Sequence, residues 1–191
     1  MSVLVAGLLI FLGVHSVRIF AEEWRTRQLA RLGEGRWKGM YSLASALGLG
    51  LIVWGVGLTR ADPVMVWAPA AGMRHVAALL TLPAFILLAA AYVKGNRIKQ
   101  AVGQPMAAGV ALWALAHLLS NGRLSDLMLF GGFLSWSVLS FSAAQGRDRA
   151  AGAQCAVGSI GCDVLAVVIG VVAWAVFARY LHVWMIGLRP F

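Results

Sequence analysis

What this chain has least of is charge, and acidic charge above all. Of 191 residues only 12% are charged, with 7 acidic against 16 basic, while 61% are hydrophobic. Soluble domains carry roughly twice that charged share, so a soluble globular domain is excluded. Alternating polarity is missing from the apolar runs, which excludes a transmembrane barrel. The deep parts of those runs lack carboxylates and thiolates, which argues against a di-iron carboxylate centre or a thiolate zinc site. Two cysteines, Cys155 and Cys162, do not form a CxxC pair and read as reduced, inert thiols. No P-loop, dinucleotide fingerprint or nucleophile–histidine–acid set is present.

What is there is apolar length. Six runs approach the roughly 20 residues needed to cross a bilayer, over 2–20, 40–58, 75–93, 105–121, 127–144 and 162–186. Mean hydropathy is +0.82. The polar linkers between the runs are too short to mark a domain boundary, so residues 1–191 read as one all-α integral membrane domain, a bundle of about six transmembrane helices. No basic stretch precedes the first run, and it carries His15 and Arg18, so it reads as a retained span. Glu22, Glu23, Arg25 and Arg27 read as a charged continuation of the first helix. Tyr41, Ser45, Gly48, Ile52 and Gly55 form one stripe suited to close helix packing.

The net charge of +9 suggests nucleic acid until its placement is examined. Arg25, Arg27, Arg31, Arg36 and Lys38 fill the first linker, Lys94, Arg97 and Lys99 the third, and Arg147 and Arg149 the fifth. The second and fourth linkers balance Arg60 with Asp62 and Arg123 with Asp126. That alternation is the positive-inside pattern. It assigns the excess charge to membrane topology and not to nucleic acid, and it places both termini outside the cytoplasm.

Four histidines are the main chemical content: His15, His75, His117 and His182. Ionisable groups within a span are costly and mark function or a hydrogen bond between helices. His182, between Tyr180 and Trp184, reads as part of an interfacial aromatic belt, and His75 follows Arg74 at a span end. His15 and His117 lie deeper. Gly109, Trp113, Ala114, His117, Ser120 and Asn121 share one face of the fourth span, with small residues leaving room for a flat group and Trp113 along its edge. Gly7, Phe11, Leu12 and His15 share a face of the first. Histidines from two helices beside small and aromatic neighbours suit axial ligation of a haem, with Asn121 as the group orienting His117.

Residues 33–55, GEGRWKGMYSLASALGLGLIVWG, residues 103–137, GQPMAAGVALWALAHLLSNGRLSDLMLFGGFLSWS, and FLGVHS in the first span resemble the NnrU family of bacterial inner-membrane proteins. The resemblance covers nearly the whole chain. It implies an association with nitrite and nitric oxide reduction. The family includes the haem b-dependent zeta-carotene isomerase, whose haem histidines fall on His15 and His117. That isomerase has a cysteine where this chain has Ala114, so a thiolate switch at that position is absent. Many relatives have histidine where this chain has Gln104, before Pro105.

Topology sets a geometric constraint on the pair. The first and fourth spans run in opposite directions, and at about 1.5 Å per residue the depths of His15 and His117 differ by roughly 10 Å. His75 and His182 share the outer depth of His117, and His75 forms an alternative pair with it. Three functional expectations follow. The first is a haem b protein that partners a denitrification reductase. The second is a cis–trans isomerase acting on an apolar polyene that enters from the lipid. The third is a cofactor-free structural membrane protein. The charge pattern predicts that a cysteine replacing Arg27 is shielded from a membrane-impermeant maleimide in intact cells, whereas one replacing Asp62 reacts. Labelling of the Arg27 position from outside would reverse the orientation.

Overall fold

The computed structural model describes residues 1–152, 158–187 and 190. Cys155 lies outside the described residues. Cys162 is free and half-buried. The helices are α1 (Ser2–Phe20), α2 (Glu22–Leu32), α3 (Glu34–Thr59), α4 (Met73–Tyr92), α5 (Arg97–Val102), α6 (Pro105–Ser120), α7 (Leu124–Ala150) and α8 (Ile160–Val176). The last runs through a π-helical turn, Phe177–Leu181, into α9 (His182–Ile186). The chain is a multi-pass helical bundle. Five helices are long and apolar enough to cross a membrane: α1, α3, α4, α7 and the run Ile160–Ile186.

The sixth expected span is α6, with 16 residues. At 1.5 Å per residue it reaches about 24 Å, short of a hydrocarbon core of about 30 Å. Its end is completed by loop backbone. Val66 and Trp67 N–H groups donate to the Gly122 carbonyl at 2.8 and 3.2 Å, and Leu124 N–H donates to Val64 O at 2.9 Å. Non-helical backbone at this depth is tolerated because its polar groups are paired within the protein.

The charged segment after α1 does not continue that helix. Ala21, at φ −140 and ψ 43, breaks it, and α2 begins anew. The expected charge pairs do form at helical spacing: Arg18–Glu22 at 3.4 Å, Arg25–Glu22 at 3.2 Å and Arg27–Glu23 at 3.9 Å. Gly33, at φ 77, then permits the turn into α3.

Lipid offers no hydrophobic drive for helix to meet helix, so contact depends on close packing. A Cβ on Gly7 would sit 2.6 Å from Ile52 N, and one on Gly48 2.7 Å from Phe11 N. Gly55 meets the Leu4 backbone in the same way. The small-residue stripe of α3 is thus the seam with α1, and Leu4, Leu8 and Ile52 form its buried core. Further round, Gly109 of α6 closes on Ala84 O of α4, and Gly170 of α8 on Ile86 Cα of α4. The helices pack in the order α3, α1, α7, α6, α4, α8.

One end of the bundle gathers the basic linkers. There Arg147 Nη1 donates to Arg18 O at 3.1 Å, Gln104 Nε2 to Asp148 Oδ2 at 2.6 Å, and Arg97 N–H to Asp163 Oδ1 at 2.5 Å. Asn96, 1% exposed, ties α4 to α5 by donating to Ala90 O and Val93 O while accepting from Lys99 N–H.

The α1–α3 seam generates a paired prediction. Gly48→Val puts methyl groups into the α1 backbone and should cost about 1–3 kcal/mol, the usual range for overpacking, seen as a lowered unfolding temperature in detergent. Gly50→Val lies on the same helix with nothing within 4 Å and should leave that temperature unchanged. Equal effects of the two would show that the seam is not the packing contact.

Candidate functional site

At the end of the bundle opposite the basic linkers, α3, α4, α6, α7 and the α8–α9 run enclose a cavity of about 500 Å³. That lies within the roughly 300–1,000 Å³ usual for small-molecule and cofactor sites. Its floor is apolar and aromatic, with Phe85, Trp113, Phe130, Trp174 and Phe177. Its rim carries Arg60, Arg74, Arg123 and Asp126. The rim is thus net cationic in a region that the linker charges alone show as balanced.

His117 lines this cavity. Its ring lies 4.6 Å from that of Phe130 and 5.1 Å from that of Trp113, centroid to centroid. Its Nδ1 is 2.9 Å from Trp113 O, one helical turn back. A carbonyl oxygen only accepts, so Nδ1 carries the proton and donates, and Nε2 keeps its lone pair. This fixes both tautomer and ring orientation, as an outer hydrogen bond does for a metal-ligating histidine.

The orienting partner is therefore the Trp113 carbonyl, where Asn121 was expected. Asn121 lines the cavity, but its Nδ2 donates to the His117 carbonyl at 2.8 Å and to Ser120 Oγ at 3.1 Å. It satisfies the end of α6 and does not touch the imidazole. Trp113 lines the cavity as expected. The small residues of that face do not leave room for a flat group: Gly109 is pressed on α4, and Ala114 is completely buried. The room comes from the space between helices beyond those contacts.

His15 lies elsewhere. It stacks on Phe11 at 4.2 Å and faces Tyr41 and Trp136 at 5.2 and 5.9 Å. Its Nδ1 donates to Phe11 O at 2.7 Å, so its tautomer matches that of His117, but it does not line the cavity. Along α7 it is level with Trp136, whereas His117 is level with Phe130. Six residues of helix separate those levels by about 9 Å. The rings of Phe11, Phe133 and Trp113, joined in sequence at 5.7 Å each, stand between the two histidines. His75 is exposed and does not line the cavity, although its neighbour Arg74 does.

A histidine that the sequence placed in an aromatic belt does line it: His182. Its neighbours Tyr180 and Trp184 face outward, 67% and 82% exposed. The sequence carries no sign of the π turn, Phe177–Leu181, that precedes His182. Among the described residues no group of three or more His, Cys, Asp or Glu side chains comes together to hold a metal ion.

These features define a class: a multi-pass helical membrane protein with an imidazole-bearing cavity near one membrane face. The NnrU family model, described as NnrU protein, matches residues 3–190, and the chain belongs to the NnrU family. No curated protein and no solved structure matches it.

The cavity's outer wall yields a prediction. A Cβ on Gly122 would overlap the Trp67 carbonyl oxygen, so Gly122→Ala must push the 64–67 segment outward. Amide exchange at Val66, Trp67 and Leu124 should then be faster than in the parent protein, with the α1–α3 seam unaffected. Unchanged exchange at those three amides would show that the segment is not held by Gly122.

Proposed function

We propose that this chain is a haem b protein of the bacterial inner membrane, with its cofactor in the cavity beside His117 and its role in nitrite and nitric oxide metabolism. The observation that carries this is the state of His117: a proton fixed on Nδ1 by the Trp113 carbonyl, in the wall of a cavity of cofactor size. A bare metal ion would need more protein ligands than the described residues of the cavity bring together. A porphyrin supplies four nitrogens of its own and asks only for axial imidazole.

The rest of the lining suits the same group. Phe85, Phe130 and Trp113 offer ring faces to a flat macrocycle, and Arg60, Arg74 and Arg123 at the rim offer guanidinium groups to its two carboxylates. His117 would hold the iron, the Trp113 carbonyl keeps its imidazole oriented, and the Val66–Gly122 backbone pairing closes the loop beside it. Bound haem would supply one-electron exchange or capture of a diatomic ligand. The family's association with nitrite and nitric oxide reduction supplies the setting, as an electron-transfer or haem partner of a reductase. The positive-inside pattern orients the basic linkers to the cytoplasm, so the cavity lies near the periplasmic face and both termini are periplasmic.

A polyene isomerase needs a long apolar slot that meets the cofactor. An apolar groove of about 450 Å³ does run along α6, lined by Ala107, Ala111, Leu115, Leu134 and Phe141. On the α6 wheel the groove's α6 residues, Ala108 and Leu112 included, centre roughly 170° from the midpoint of Trp113 and His117 at 100° per residue. The groove and the cavity are on opposite faces of α6, which favours the partner role over the isomerase.

Protein purified from haem-replete cells should be coloured and give the spectrum of haem b on reduction. His117→Ala should insert in the membrane but lose most of its haem. A colourless parent protein, or full haem retention in His117→Ala, would sink the proposal and leave the histidine as a helix-stabilising group.

A further inference from the structure

We infer that His182 is the second axial ligand of the same haem, delivered to the cavity by the π turn of the last span. The inference rests on the haem reading above and adds a second imidazole to the donor set. It begins from the register of the helix. Trp174 and Ala178 of this run line the cavity. In an uninterrupted α-helix at 100° per residue, His182 would be turned about 80° from Trp174 and Ile186 about 120°, progressively away from the cavity-lining face.

The chain does not follow that path. The His182 N–H donates to Phe177 O, five residues back, which inserts one extra residue into the turn. Everything beyond is rotated back by about 100°. His182 and Ile186 return to within roughly 20° of Trp174, and both line the cavity. The ring of Phe177, itself in the π turn, packs edge-on to His182 at 6.1 Å and against Phe85 of α4 at 5.6 Å. Single π turns within α-helices recur at functional sites, and they re-aim every side chain beyond them. Here one of the re-aimed side chains is an imidazole.

The two other histidines are placed differently. His15 is enclosed by Phe11, Tyr41 and Trp136 and lies about 9 Å deeper along α7, behind the rings of Phe133 and Trp113. His75 is exposed. His117 and His182 come from α6 and the α8–α9 run, which pack on α4 through Gly109 and Gly170 at Ala84 and Ile86. Both imidazoles therefore reach the one cavity from separate helices, the disposition that two-imidazole ligation requires.

The test reads the spin state of iron in purified protein loaded with haem in the cell. The parent protein should hold low-spin ferric haem. His182→Ala should keep haem through His117 but turn it high-spin, and added imidazole should restore the low-spin spectrum. His182→Met should remain low-spin with a more positive midpoint potential, since thioether ligation favours ferrous iron; a merely structural histidine would not produce that shift. His15→Ala should keep the parent spectrum. A high-spin parent, or a low-spin His182→Ala protein beside a high-spin His15→Ala protein, would overturn the assignment while leaving haem binding intact. A parent protein without haem would instead remove the reading on which it rests.

Discussion

The contact on which the rest of this bundle depends is glycine against backbone at the middle of α4. Gly109 of α6 and Gly170 of α8 both close on that helix, at Ala84 and Ile86. In lipid, helices gain little from hiding apolar surface from one another, so the closest-packed points fix their relative positions. Two such points on one helix draw α6 and α8 together at mid-membrane. The cavity begins beside those points, at Phe85, and continues past Thr81 to Arg74. A side chain at either glycine would separate the helices at the level that now forms the cavity floor.

That constraint explains what the sequence showed and what it hid. The spans were legible because hydropathy registers length and composition, and the α1–α3 seam was legible because Gly48, Ile52 and Gly55 fall at helical spacing. The break at Ala21 was not, since an alanine carries no stop signal and the charge pairs on either side fit one continuous helix. Gly109 and Ala114 were read as room for a ligand when they are a packing surface. A small residue on a helix face has the same appearance in both cases, and only the neighbour's backbone tells them apart.

The histidines show the same limit at the site. His117 was picked out because it lies deep in an apolar run, and it does line the cavity. His15 was picked out on the same ground but is surrounded by rings, with the Phe11–Phe133–Trp113 chain between it and His117. The opposed directions of α1 and α6 already implied a difference in depth, and the neighbours of the two histidines along α7 express it. On the sequence alone His182 reads as part of an interfacial aromatic belt, because Tyr180 and Trp184 flank it. One hydrogen bond from residue 182 to residue 177 changes the face, and nothing in FARYLH announces it.

The charges complete the asymmetry. The basic linkers at one end are held by carboxylate and carbonyl acceptors, Asp148, Asp163 and the Arg18 carbonyl among them. At the other end Arg60 Nη1 donates to the Ile186 carbonyl at 2.9 Å, joining the end of α3 to the end of α9 across the cavity rim. A guanidinium has five donors in a planar fork, so one bond to a carbonyl leaves capacity for an anionic group. Arg60 thus links the helix that carries His182 to a rim with three arginines and one aspartate.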